Sequence, residues 1–214
     1  MSDGRTFRLR VRFAKQGRLA MLSHLEVARA LERIVRRAQL PYAVSQGFSP
    51  HMRIAFGAAL PVGVGGVAEA CDVTLTDYLA PAKALAALQA AAPPDLWPTE
   101  CAYVEPSAPA ASAAFPVGVY EARLSDAPDP LVVPDEVTVV RKRKEKVLQV
   151  ADFLRGSVQA EGCVLRLALE SKPSGSLRVD RLLDACLAAT KAAGGLPEGA
   201  RVLSVTRVDQ LPAS

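Results

Sequence analysis

The 214 residues are half hydrophobic and 22% charged, with a net charge of +4, and that much apolar surface excludes a mainly disordered chain. No uncharged apolar run of about 18 residues occurs and Met1-Ser2-Asp3-Gly4-Arg5 lacks the apolar core of a secretory signal, so no membrane association is expected and the cytoplasm is the expected compartment. Charge is polarised: residues 1–60 hold eleven Lys/Arg against three Asp/Glu, residues 61–135 two against ten, and residues 136–214 thirteen against nine. Such a chain either offers a basic surface to nucleic acid or pairs its own basic and acidic parts.

The first element alternates. Phe7, Leu9, Val11 and Phe13 stand against Arg8, Arg10 and Arg12, which predicts a strand with one apolar and one basic face. Ser23-His24-Leu25-Glu26 is a capping box, with Leu22 and Val27 placed for a hydrophobic staple. Val27, Leu31, Ile34, Val35 and Ala38 then recur at helical spacing, with Arg29, Arg33, Arg36 and Arg37 mostly on the outer side; the helix stops before Pro41. Residues 41–50 read as a loop. His51 to Phe56 alternates again, with Met52, Ile54 and Phe56 on one face and His51 and Arg53 on the other. After a glycine-rich connection, Gly57 to Gly66, the pattern predicts a strand over 69–75, an alanine-rich helix over 81–92 with Pro81 near its start, and a strand over 97–104.

Residues 1–105 thus form an α+β half with the ferredoxin-like order β-α-β-β-α-β. Residues 106–116, rich in small residues and proline, read as a linker. Residues 117–214 repeat the theme in degenerate form, with strands at 117–124, 137–142, 146–151 and 163–170, a helix at about 178–192 and a last strand at 201–208. The first helix of this second half is expected to be short or missing, because Pro128, Pro130 and Pro134 occupy its place.

Two surfaces are candidates for binding. In a ferredoxin-like sheet both helices cover one face, so Arg8, Arg10 and Arg12 line the other, joined by His51 and Arg53, with Asp72 and Thr74 between. Such a face tracks phosphates, or else it packs against the second half and pairs with acids there. The second surface is the edge where the first helix starts and its free N–H groups favour an anion. Lys15 and Arg18 precede that edge, and the loop with Gly63 and Gly65 ends there. The loop Ser45-Gln46-Gly47-Phe48-Ser49-Pro50-His51 is expected to bring Gln46, His51 and Arg53 beside one concave polar site near Arg8 or Arg10, with Phe48 anchoring it on apolar neighbours. The block Arg141-Lys-Arg-Lys-Glu-Lys146 reads as a basic hairpin tip or a solvated turn.

Catalytic and metal chemistry find little here. Cys71, Cys101, Cys163 and Cys186 form no C-x-x-C pair, so a zinc or iron–sulfur site is not expected. The glycine-rich loop matches neither the P-loop nor the dinucleotide fingerprint, so no cofactor is expected. His24 and His51, the two histidines, are expected at opposite edges of the sheet, too far apart for a dyad. Either alone suits a general base in a metal-independent ribonuclease.

Phe7-Arg-Leu-Arg-Val-Arg-Phe-Ala-Lys, Leu22-Ser-His-Leu-Glu, Ala43-Val-Ser-Gln-Gly-Phe-Ser-Pro-His-Met-Arg-Ile-Ala-Phe and Leu60-Pro-Val-Gly-Val resemble the bacterial radical SAM-linked protein family, an uncharacterised domain found beside or fused to a radical SAM protein. Where that family usually has aspartate after Ser-His-Leu, this chain has Glu26. The resemblance implies a radical SAM protein as partner and RNA modification as context. The resulting expectation is a cytoplasmic, non-catalytic RNA-binding accessory that presents tRNA or rRNA to the partner. Arg8, Arg10, Arg12, Arg53 and the loop 45–53 would touch the RNA, with Lys15, Arg18, His24, Gln46, His51, Gly63 and Gly65 as further anion-binding candidates. The alternatives are a protein-interaction module that docks on the radical SAM protein without nucleic acid, and the endoribonuclease.

Overall fold

The computed structural model describes residues 6–141 and 144–212. Its chain divides into two compact units, Met1–Phe115 and Pro116–Ser214, each a mixture of helices and strands.

In the first unit the elements are β1 (Phe7–Lys15), a 3₁₀ turn (Gly17–Met21), α1 (His24–Arg37), β2 (Ile54–Phe56), β3 (Val64–Leu75), α2 (Pro81–Ala91), β4 (Leu96–Val104) and a short helix, α3 (Ala111–Ala114). β1 lies between β4 and β3, β2 adds to β3, and these pairings are antiparallel. The register sets Phe7 opposite Leu75, Leu9 opposite Val73 and Val11 opposite Cys71. These residues, with Val27, Leu31, Ile34 and Val35 of α1 and Ala84, Leu88 and Ala91 of α2, build the core. The alternation of β1 therefore places its even-numbered arginines on the face away from the helices. At the start of α1 the capping box is present: the Ser23 hydroxyl accepts from the Glu26 amide, and the Glu26 carboxylate accepts from the Ser23 amide.

Two boundaries differ from the sequence reading. β2 is three residues long, because Met52 and Val44 meet in an isolated bridge and His51 and Arg53 fall outside the strand. β3 begins at Val64, five residues earlier than the alternation predicted, so Gly65 lies buried inside a strand rather than in a loop. Its three glycine-rich starting positions carry no period-2 signal, since glycine has no side chain to alternate.

The second unit holds β5 (Val117–Leu124), β6 (Glu136–Arg141), β7 (Lys144–Gln149), a 3₁₀ turn (Val150–Asp152), β8 (Leu154–Glu161), β9 (Val164–Glu170), α4 (Val179–Ala192) and β10 (Val202–Leu211). β10, β5, β9 and β8 are neighbours in that order, and β6 with β7 forms a separate two-stranded ribbon. No helix intervenes between β5 and β6; the proline-containing segment there fastens to the end of α4, where the Thr190 hydroxyl accepts from the Val132 amide at 2.9 Å. β8 was not foreseen. It pairs with β9 and leaves most of its residues exposed, so burial imposes no alternation on it. The tip of the basic block, Lys142 and Arg143, lies outside the described residues. Among those described, no helix is long and apolar enough to cross a membrane.

Candidate functional site

The arginine row stands where the alternation of β1 put it, but that face is not open. Asp72, directly opposite Arg10 across the β1–β3 ladder, is 2% exposed and binds both neighbours. Arg10 donates to it from Nε at 2.7 Å and from Nη2 at 3.0 Å, and Arg8 donates from Nε at 3.1 Å. The chain after β4 supplies further acceptors. Arg8 donates to the carbonyls of Ala108 at 2.7 Å and Pro109 at 2.5 Å, and Arg10 to Pro109 at 2.9 Å. The Phe115 ring lies 4.8 Å from the guanidinium of Arg12 and 5.2 Å from that of Arg10, and Arg12 reaches Glu100 at 3.9 Å. Residues 106–115 thus belong to the first unit and bind this face with their carbonyls and Phe115. Only residue 116 of the expected linker falls in the second unit. Among the described residues, the acids that pair with the row, Asp72 and Glu100, belong to the row's own unit.

The loop with Gln46, His51 and Arg53 is tied by its backbone: the Ser45 amide donates to the His51 carbonyl at 2.8 Å and the His51 amide to the Ser45 hydroxyl at 3.0 Å. Arg53 exchanges backbone bonds with Ala43 and Thr74, which sets it across Thr74 from Arg8. All three side chains are exposed. Phe48, expected to anchor the loop, is fully exposed instead; with Gly47 at φ +130°, the loop tip turns away from the core rather than onto it.

At the other candidate edge the structure brings Lys15, His24 and Glu69 around one small cavity of about 30 Å³, floored by Phe13 and Val27. Lys15 continues the odd-numbered side of β1 past Phe13, so it is 2% exposed, and its ammonium donates to the Leu22 carbonyl at 3.0 Å. Glu69 sits opposite Phe13 and is buried; its odd-numbered place before Cys71, Val73 and Leu75 was the unread signal for it. The His24 ring meets Phe56 edge-on at 5.4 Å. The cavity holds about one water, which fits a polar plug at the end of the core better than a substrate site. Arg18 is exposed, and its amide donates to Asp95. The Gly63 amide donates to Ala20. The start of α1 carries the Glu26 carboxylate in the place an anion would take. Among the described residues no hydrogen bond or ring contact joins His24 to His51.

The outer face of α1 carries a run of exposed positive charge. Arg29, Arg33 and Arg37 recur every four residues, so they share one stripe, and all three are exposed. Arg36, off the stripe, pairs with Glu32 at 3.5 Å. Arg33 and Arg37 border a groove of about 400 Å³ between α1 and the end of α2. The sequence reading sets these arginines mostly on the outer side of the helix; their spacing of four is the signal that they share one stripe. Cys71 and Cys186 are buried, and among the described residues no cluster of His, Cys, Asp and Glu is arranged to hold a metal ion.

The model of one family, described as an uncharacterized protein conserved in bacteria (DUF2344), matches residues 8–179. No curated protein matches the chain.

Proposed function

The chain belongs to that family, and on that premise we propose that it is an RNA-binding accessory protein of the cytoplasm, which presents tRNA or rRNA to a radical SAM partner. The observation that carries RNA binding is the stripe on α1: Arg33 and Arg37 are exposed and make no ion pair or hydrogen bond among the described residues. Free guanidiniums in a row suit phosphates, whose planar oxygen pairs they grip in bidentate fashion. The RNA surface in this reading is α1 with the exposed residues 46–51 and Arg53 of the loop, and the Arg8–Arg10–Arg12 row has a structural role. The radical SAM partner rests on the resemblance of the motifs in residues 7–64.

The same reading takes each unit as a ferredoxin-like half. The orders β4-β1-β3-β2 and β10-β5-β9-β8 support it, since both place the first strand of the unit between its last and its second-to-last. The β6–β7 ribbon stands where the second half lacks a helix.

The test is fluorescence anisotropy of the full chain with labelled tRNA and single-stranded RNA at rising salt. Binding at low salt that weakens steeply with salt is expected, and absence of RNA affinity at low salt overturns the reading. One observation favours a second reading, a docking module for protein alone: Met21, Leu25 and Val62 are exposed, and Met21 lies against Gly63. A complex with the radical SAM protein that survives nuclease treatment and carries no RNA supports that alternative.

A further inference from the structure

The groove between α1 and α2 has a mixed chemistry that a phosphate track alone does not need. Its floor is made of Ala30, Ile34, Ala91 and Ala92, and its rim carries Arg33 and Arg37. The groove is an open depression of about 400 Å³. α2 ends there at Ala91, and the Ala92 amide turns back to the Gln89 carbonyl. A helix end leaves its last carbonyls without intrahelical donors, and Ala91 and Ala92 at that end line the groove. The methyl groups of Ala30, Ala91 and Ala92 give it a low apolar floor.

We propose that this groove holds one unstacked nucleotide of the bound RNA, an inference that rests on the RNA-binding reading above. Its flanking phosphates accept from Arg33 and Arg37. Its base lies on the alanine floor, and the N–H groups of the base edge face the carbonyls at the end of α2. Recognition of single strands through splayed bases is the ordinary route for RNA. Two exposed guanidiniums four residues apart on one rim argue for a polyanion with regularly spaced charges.

The experiment compares three probes on the full chain: a single-stranded 12-mer RNA, an abasic strand of the same length, and inorganic polyphosphate. Two variants accompany the wild type. Ala90→Trp fills the groove from an exposed position at its rim, and Arg33→Glu with Arg37→Glu reverses the charge. The wild type is expected to bind RNA about tenfold more tightly than the abasic strand, through burial of one base face on the apolar floor. Ala90→Trp should remove that increment and leave polyphosphate binding unchanged, whereas the double charge reversal should weaken all three. Equal wild-type affinity for RNA and the abasic strand overturns the nucleotide site while RNA binding stands. Loss of all RNA affinity in the wild type removes the RNA-binding reading itself. An acidic helical peptide that binds the wild type and not Ala90→Trp, with RNA failing to displace it, overturns the site in favour of a protein partner. The comparison of RNA with the abasic strand needs no variant, so it decides the matter even if tryptophan disturbs the fold.

Discussion

Arg10 grips Asp72 through two hydrogen bonds, from Nε at 2.7 Å and Nη2 at 3.0 Å, while the carboxylate is 2% exposed. Fork-on-fork geometry of this kind is the strong form of the ion pair. The pair holds β1 to β3 on the face away from α1 and α2, and Arg8 shares the same carboxylate.

Removing the acid leaves two largely enclosed guanidiniums with only carbonyl acceptors. Asp72→Ala is therefore expected to cost about 3 kcal/mol of stability, the lower end for a buried pair that loses one partner, since Arg8 keeps 21% of its side chain in solvent. Urea denaturation measures it. A variant as stable as the wild type would show that the carbonyls of Ala108 and Pro109 suffice.

This pair also marks what the sequence could and could not convey. Period two in Phe7 to Phe13 was enough to assign β1, its faces and the core it joins, because each side chain of a strand has one of two destinations. The capping box at Ser23 and Glu26 was legible for the same reason: its geometry is local. Asp72 was seen between the arginines, but its bidentate hold on Arg10 depends on register, which spans 62 residues. The cover over Arg8 comes from residues 106–109, a segment whose proline and alanine content reads as a linker and whose acceptors are all backbone. Backbone acceptors leave no trace in composition. Lys15 and Glu69 were each visible as charges; that both point into the core end followed from alternation carried one step past the last apolar residue.

Salt dependence separates the two arginine sets. Each guanidinium that neutralises a phosphate releases a counterion and steepens the slope of log K against log salt by about one. Arg33→Glu with Arg37→Glu should flatten that slope by about two and leave the urea midpoint nearly unchanged, because both side chains are exposed. Arg10→Glu should lower the midpoint instead, since it sets a second carboxylate against Asp72. Anisotropy over a range of salt, with denaturation of each variant, tests the contrast. A slope unchanged by the α1 variant would place the RNA elsewhere.

Lys15 closes the core with a charged group whose stem packs like a hydrophobe. Lys15→Met keeps that volume and removes the donor to the Leu22 carbonyl. An acceptor deprived of its donor in a buried place costs about 1–3 kcal/mol, so a loss of that size is expected in thermal or urea unfolding. Because the 3₁₀ turn ends at Met21 next to that carbonyl, faster amide exchange over residues 17–22 should accompany it. A methionine variant at least as stable as the wild type, with unaltered exchange, would mean that the ammonium contributes no net stability.

The thiols give a pH dependence with a definite sign. Burial raises the Cys186 thiol from its ordinary value of 9.0 to about 11. Burial, followed by the charge of Glu100, raises Cys101 to about 11. Cys71 is raised as well, first by burial and then by the neighbouring Asp72. In each case the folded state holds its proton where the unfolded chain has released it. The unfolded state then binds fewer protons, and stability falls as pH rises. The contribution is fully present below the unfolded value near 9 and is lost as pH climbs towards about 11. Lysine and tyrosine titrate in the same range, so the measurement is a difference: urea unfolding of the wild type and of Cys186→Ala at a series of pH values from 7 upward. The variant starts lower because alanine leaves a void at a fully buried position of α4, but its curve should fall less steeply above pH 9. Parallel curves would show that the Cys186 thiol ionises as readily in the folded protein as in the open chain. The same burial predicts that Cys71 and Cys186 resist iodoacetamide at pH 8 until the chain is unfolded, because the thiolate is the reactive form.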